Sequence, residues 1–427
     1  MKLCVIGAGS SYTPELIEGV IRNQPVLPIS TVTLMDIDAD RLRIVADLAR
    51  RMVQAAAVDI KIEETLERKP AIEGSRFVIS QIRVGGMAAR ILDETIPPPF
   101  GVIGQETTGP GGFAKALRTI PVALDIAREI ESLAPEAFLI NFTNPAGLIT
   151  EALQRHSGVK SIGLCNLPIG MEMRIAREFN VERKRIRLDW VGLNHLNWTR
   201  GAYLDDEDIW PQVYTTALEL AREETSDGWN FSADVLETLG MIPCGYLNYY
   251  YNHEYMLEKQ RSAPRSRGEE VRAIEAELMK MYQDPNLNEK PALLEERGGA
   301  YYSTAAISLI AAIVNDSGEI HIVNTRNQGA IPEMQHDVVV EVPCRITASG
   351  AAPQKCAPMP AEIRGLVQAV KAYEELTVEA AISGDRRAAL QALMTHPLVP
   401  SFGVARELLD ALIDAHREYL PQFAERK

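Results

Sequence analysis

The opening stretch KLCVIGAGSSYTPELIEGVIRN leaves few folds open to this chain. Lys2 to Ile6 is a short strand-like run, Gly7 and Gly9 come at once after it, and a helix-forming segment comes next. A strand that breaks at a glycine turn and feeds a helix lets the backbone approach a pyrophosphate. The helix then offers its first N–H groups and its positive dipole end. Where a third glycine belongs in that fingerprint the chain has Tyr12, and Ser10 and Ser11 offer hydroxyl donors instead. Alone the motif is weak, because a glycine turn after a strand is often only a turn.

The neighbouring segment adds weight to it. STVTLMDID reads as a second strand ending in Asp36. An acid there hydrogen-bonds an adenosine ribose and disfavours a 2′-phosphate, which points to NAD rather than NADP. Asp36 could equally cap the next helix, from about Ala39 to Ala57, and the two roles are compatible. RFVISQI reads as a third strand, EAFLINFTNPAG as a fourth and VKSIGLCN as a fifth, with helical stretches between. Such alternation predicts a Rossmann-like, doubly wound parallel sheet with its ligands beyond the strands' carboxyl ends. Arg83, Asn144 and Cys165 then share a rim with Gly7. After Cys165 the pattern changes. RIRLDWVGLNHLNWTRGAYLD reads as a longer antiparallel ribbon, and from about Trp210 the chain reads as mostly helical. The expected organisation is an α/β fold: an NAD-binding domain over 1–166, then a mixed antiparallel-sheet and helical domain over 167–427. Lactate and malate dehydrogenases share this arrangement.

Bulk properties exclude other classes. The 427 residues are 46% hydrophobic and carry a net charge of −14. A field of that sign argues against nucleic acid and anionic membranes as partners, though a local Arg or Lys cluster can still bind an anionic substrate. Five scattered cysteines imply no disulfide framework, and MKLCVIGAGSS lacks the pattern of a signal peptide, so a reducing cytoplasm is the expected setting.

Four groups of residues invite chemistry. Cys165 and His195 both come after strand-like runs. Without further Cys or His nearby they make no structural zinc site. They are either a buried cysteine and an unrelated core histidine, or an open site whose other positions go to substrate and water. The loop IGQETTGPGGFAKALRT, with Glu106, Thr107 and Thr108, either closes over a site or is a surface connection. In GYLNYYYNHEY most tyrosines are expected to pack, with Tyr246 and Tyr249 or Tyr250 sharing a helix face. A tyrosine acting as a base near neutral pH needs a cation beside it. Arg83 and Arg90, and Arg261, Arg265 and Arg267 further on, have the fork geometry that suits phosphate.

Taken in order, GAGSSYTPELI, QIRVGGMAARILDE, GVIGQETTGPGGFAKALRTIPV, INFTNPAG, GLCNLPIG, GLNHLNW, GYLNYYY, RGGAYYS and NQGAIP resemble glycoside hydrolase family 4, the NAD- and metal-dependent glycosidases. Within it, the likeness is strongest to the 6-phospho-β-glucosidases. The resemblance implies hydrolysis by oxidation at C3 of the sugar, deprotonation at C2, elimination of the aglycone, addition of water and re-reduction. NAD and a divalent metal, usually manganese, are its cofactors. That family is already a recognised exception to two-carboxylate glycoside hydrolysis. The resemblance places Cys165 and His195 at metal ligands and Tyr246 at the base. It places Arg90, Asn144, Asn166 and Arg267 at substrate contacts, with Arg265 an alternative to Arg267, and Glu106 in the active-site loop, where either it or a water is the candidate acid for the leaving group. It also implies a phosphorylated glycoside as the small-molecule partner and a homodimer or homotetramer. The family's 6-phospho-α-glucosidases have an aspartate acid after the metal-binding cysteine. Here that position is Asn166, whose amide cannot donate a proton in that way. This favours a β-type substrate.

Three other readings stay open. The chain could be a family 4 glycosidase for an α-linked, unphosphorylated or uronic acid glycoside. It could be a 2-hydroxy acid dehydrogenase, which needs no metal and yields net NADH. Or it could be a sensor that binds NAD without turnover.

Overall fold

The computed structural model describes residues 1–223, 231–298 and 301–424. Motif RGGAYYS therefore lies partly outside the described residues. Six strands form a parallel sheet in the order 3-2-1-4-5-6: β1 (Lys2–Ile6), β2 (Thr31–Met35), β3 (Lys61–Thr65), β4 (Phe77–Ser80), β5 (Phe138–Asn141) and β6 (Lys160–Gly163). That order places a crevice between β1 and β4, where it reverses. A second, antiparallel sheet holds β7 (Ile186–Leu193), β8 (Leu196–Leu204), β9 (Glu207–Asp208) and β10 (Ile242–Pro243). Three later strands return to the first sheet and extend it antiparallel beyond β6: β11 (Ile320–Arg326), β12 (Val339–Thr347) and β13 (Gly350–Pro353).

The expected Rossmann half and the antiparallel ribbon are both present, with two corrections. The run RFVISQI is the fourth strand, not the third. The third, β3, is an edge strand carrying Lys61, Glu63 and Glu64, so it offers no apolar run to read. The stretch after Trp210 is not only helical, since β11 to β13 come from it. The parallel part does end at β6, close to the expected boundary at 166. Yet strands from both sides of that boundary share one sheet, and one continuous core runs through both segments.

Local chemistry explains the joints. Gly7 has φ +86, and a Cβ there would lie 2.9 Å from the Gln81 carbonyl at the end of β4, so the turn can lie flat against its neighbour only as glycine. Asp38, not Asp36, caps the Ala39–Ala55 helix by accepting from Asp40 N and Arg41 N. Gly163 ends β6 where the Ala146–His156 helix and β11 meet it. A Cβ there would collide with Thr150 Oγ1 and come within 2.9 Å of Asn324 Cβ. Among the described residues, no helix is long and apolar enough to cross a membrane.

Overpacking at that joint generates a prediction. Gly163→Ala lowers stability by about 1–3 kcal/mol. Gly365→Ala, on the exposed face of the Ala361–Ser383 helix with open space around it, raises it by about 0.5–1 kcal/mol. Urea unfolding of the two variants shows opposite shifts in midpoint; equal shifts would mean the β6 joint has room to spare.

Candidate active site

The glycine turn is held by an acid. Asp36 Oδ2 accepts from Gly9 N at 2.7 Å, and Oδ1 accepts from Asp38 N at 3.0 Å. Each oxygen keeps a lone pair for a further donor such as a ribose hydroxyl. Ser10 Oγ accepts from Tyr12 N at 3.3 Å. Ser11 is fully buried and its hydroxyl lies 3.4 Å from Glu275 Oε1, so it is turned inward. The residue in place of a third glycine has work of its own. Tyr12 stacks on Tyr302 with centroids 5.3 Å apart, and the Arg297 guanidinium lies 4.1 Å above its ring. Arg297 in turn donates to Glu275 Oε1, at 2.9 Å from Nε.

The glycine-rich loop is pinned over the rim. Gln105 Oε1 accepts from Thr107 Oγ1 at 2.7 Å and Thr108 N at 3.0 Å, ahead of the Gly109–Leu133 helix. This puts Glu106 among three cations. Arg83 pairs with it, Arg90 Nη1 reaches Oε1 at 3.0 Å, and Lys115 Nζ reaches Oε2 at 2.7 Å. Arg90 also donates from Nε to Glu94 Oε1 at 2.8 Å. Burial pushes the Glu106 carboxyl up, but Arg83, Lys115 and Arg90 outweigh it and hold the group well below the usual carboxylate range. Burial pushes Lys115 down to about 7 despite Glu106 beside it.

Cys165 and His195 come to Tyr246 from different elements. Cys165 caps the Asn166–Glu178 helix, its sulfur accepting from Leu167 N at 3.5 Å. The Asn194 side chain lies near enough to the same sulfur to favour its thiolate. His195 stands in the turn between β7 and β8 with φ +63. Its Nδ1 lies 3.1 Å from Thr107 Oγ1, and its ring stacks on Tyr246, 3.9 Å between centroids and 3° from parallel. Thr107 also lies near enough to Tyr246 to act on its phenol, so one hydroxyl borders loop, histidine and tyrosine alike. Burial pushes His195 down to about 3, which leaves a neutral imidazole at any ordinary pH. Burial, then the charges of Cys165, Tyr249 and Glu106, push the Tyr246 phenol up. The Cys165 thiol is likewise pushed up, by burial first and by Glu341 second.

Tyr246 does not share a helix face with Tyr249 or Tyr250. It lies in the Gly245–Leu247 turn of 3-10 helix, with Tyr249 edge-on at 6.1 Å, while Tyr250 turns away to His396. Asn144 sits at the mouth of β5, half-buried, its Oδ1 accepting from Ala146 N at 3.3 Å. Asn166 comes after Cys165 as the first residue of its helix. Arg267 stands apart from the Glu106 cluster. It is exposed, pairs with Glu270 at 3.0 Å and donates to the Glu296 carbonyl at 2.9 Å. Arg265 is exposed as well. Lys115 and Glu94 escape notice in the sequence, where they look like ordinary helix-surface charges. So does the link from Thr107 to His195, for which spacing gives no signal.

The donor set suits a cation. A neutral imidazole and a thiol that loses its proton on binding are both ligands. Among the described residues no three His, Cys, Asp or Glu side chains gather as a closed cage. Cys165 and His195 therefore fit an open site rather than a structural one. The flat glycine turn and the Asp36 carboxylate fit a dinucleotide in the same way.

Comparison with known proteins agrees with this geometry. The model of the family 4 glycosyl hydrolases matches residues 2–181, and that of the family's C-terminal domain matches 190–399. The protein named "Probable 6-phospho-beta-glucosidase" of Bacillus subtilis (strain 168) is 46% identical, over 99% of this chain and 98% of its own. The 6-phospho-beta-glucosidase of Escherichia coli (strain K12) is 39% identical, over 100% of this chain and 97% of its own. The 6-phospho-beta glucosidase of Thermotoga maritima, solved with manganese, NAD+ and glucose-6-phosphate, superposes with a TM-score of 0.92 at 36% identity, covering 98% of this chain and 99% of that one. A malate dehydrogenase of Plasmodium falciparum shares the fold alone, with a TM-score of 0.55 at 12% identity. The chain belongs to the family 4 glycosyl hydrolases and is a glycosidase.

Proposed function

We propose that the chain hydrolyses 6-phospho-β-glucosides with NAD and a divalent cation, manganese, as cofactors. The steps are oxidation at C3, removal of the C2 proton, elimination of the aglycone, addition of water and re-reduction. The observation that carries this reading is the stack of His195 on Tyr246, with Thr107 against the imidazole and Cys165 near enough to act on the Tyr246 phenol. The similarity to proteins named for 6-phospho-β-glucosides supports the substrate class. Bound NAD supplies a reversible hydride acceptor. A divalent cation supplies Lewis-acid polarisation of the sugar's C2 and C3 oxygens, and a positive charge that offsets the raised phenol of a tyrosine base.

The chain's own residues do the rest. Cys165 and His195 hold the cation, and the Thr107 contact at Nδ1 leaves His195 Nε2 to face it. Asp36 receives the adenosine ribose at the glycine turn of Gly7 and Gly9, with Ser10 beside it. Tyr246 takes the C2 proton. Asn144, Asn166 and Arg90 orient the sugar. Arg267 stands at the outer edge, where a substrate contact requires it to leave Glu270. Glu106 stays ionised under its three cations, so it orders Arg83, Arg90 and Lys115 rather than donating a proton to the leaving group.

The test is hydrolysis of a chromogenic 6-phospho-β-glucoside by reduced, metal-stripped protein, given NAD, manganese or both. Turnover appears only with both, and the unphosphorylated glucoside is not turned over. Turnover of the unphosphorylated sugar would overturn the substrate, and turnover without metal would overturn the mechanism. Tyr246→Phe slows exchange of the substrate's C2 hydrogen with solvent by at least about 100-fold, the usual range for a lost acid–base group. Wild-type exchange in that variant rules the residue out as the base. Glu106→Gln leaves buried Lys115 and half-buried Arg83 without their anion, and Arg90 with Glu94 alone, and lowers stability by about 3–5 kcal/mol. Added sulfate restores part of that in thermal unfolding; a variant as stable as the parent shows that Glu106 does not balance the cluster.

A further inference from the structure

We infer that Glu341 is a positioning residue for the metal-binding pair, fixing the two strand ends that carry Cys165 and His195. The inference rests on the reading of those two residues as cation ligands.

Glu341 lies on β12, fully buried, and takes part in no step of the proposed reaction. Its carboxylate is saturated. Oε1 accepts from Asn194 Nδ2 at 3.1 Å and Asn324 Nδ2 at 3.0 Å, and Oε2 accepts from Asn197 Nδ2 at 2.8 Å and Trp190 Nε1 at 3.2 Å. A carboxylate has about four lone-pair sites, and each is filled. Three of the donors belong to one hairpin: Trp190 on β7, Asn197 on β8 and Asn194 in the turn between them. The carboxylate thus grips both strands and the turn on either side of His195, a non-glycine residue in left-handed backbone. The fourth donor, Asn324, pairs with Gly163 in the β11–β6 register, two residues before Cys165. Asn194 closes the circuit, since its amide also lies near enough to the Cys165 sulfur to favour the thiolate.

The choice of a carboxylate needs a reason beyond packing. Burying an ion among neutral amides and an indole, with no cationic partner in its hydrogen-bond set, is a costly way to fasten a hairpin. A divalent cation held by a thiolate and a neutral imidazole has a net charge of +1. A buried carboxylate on the far side of Asn194 stabilises that loaded state and fixes its ligands, as outer partners of metal ligands do elsewhere.

The experiment measures Mn2+ affinity by electron paramagnetic resonance of free Mn2+, and NAD affinity by calorimetry, on reduced wild-type protein, Glu341→Gln, Asn194→Ala and Cys165→Ser. In Glu341→Gln and Asn194→Ala, Mn2+ affinity falls about 10- to 100-fold, the range seen for outer-shell changes. NAD affinity stays at the wild-type value. Asn194→Ala removes the amide between Glu341 and Cys165 and leaves Glu341 its other three donors, so it carries the test if Glu341→Gln fails to fold. Unchanged Mn2+ affinity in a folded variant, or a parallel loss of both affinities, overturns the inference. Unchanged Mn2+ affinity in Cys165→Ser overturns the metal assignment itself, and the inference with it. Loss in Cys165→Ser with none in the other two removes only the role of Glu341.

Discussion

Parallel pairing is the constraint on which everything else rests. Strands that run in the same direction all finish on the same edge, so each crossover returns the chain to one rim. Gly7 leaves β1 there, Asp36 leaves β2, Asn144 leaves β5 and Cys165 leaves β6. No side-chain contact is needed to gather them, because the hydrogen-bond ladder does so. The antiparallel hairpin of β7 and β8 then supplies what the sheet cannot, a residue approaching the rim from outside, and His195 at its tip is that residue.

Desolvation governs the chemistry on that rim. A buried charge must be neutralised, paired or given up, and the site shows each outcome. His195 gives its charge up and stays a neutral imidazole. Glu106 keeps its charge because three cations surround it. Lys115, pressed by the same burial and by two neighbouring arginines, sits near neutrality at about 7. Glu341 keeps company with amides and an indole alone, and burial pushes it up to about 7. For the two carboxyls, Glu106 and Glu341, burial acts in the same direction and the neighbours decide the outcome.

Much of this was legible in the chain. Strands buried on both faces must be apolar throughout, so KLCVI, FVIS and FLIN declare themselves. Strand β3 does not, because an edge strand can be charged along its length. Strand β12 hides behind Pro343, a residue that argues against a strand, and behind its distance in sequence from β6. Cys165, His195 and Tyr246 stood out as residue types in odd places, but their meeting did not, since tertiary contact leaves no mark in spacing. The arginines were the least readable. Arg90 and Arg267 look alike as letters, yet one is buried against two glutamates and the other is exposed beside Glu270.

The strands that widen the sheet beyond β6 have a bearing on how the molecule comes into being. During synthesis β1 to β6 emerge first, and the outer edge of β6 stays open until β11 to β13 arrive much later. An open edge of an apolar sheet is a template for wrong partners. The gap closes only when Asn324 reaches Gly163, with Glu341 paired to Asn324 on the next strand. The hairpin bearing His195 is fastened to the sheet by that same late-arriving glutamate. The nascent first half can therefore form its crevice between β1 and β4 early, whereas the setting of His195 is one of the last features of the molecule to take shape.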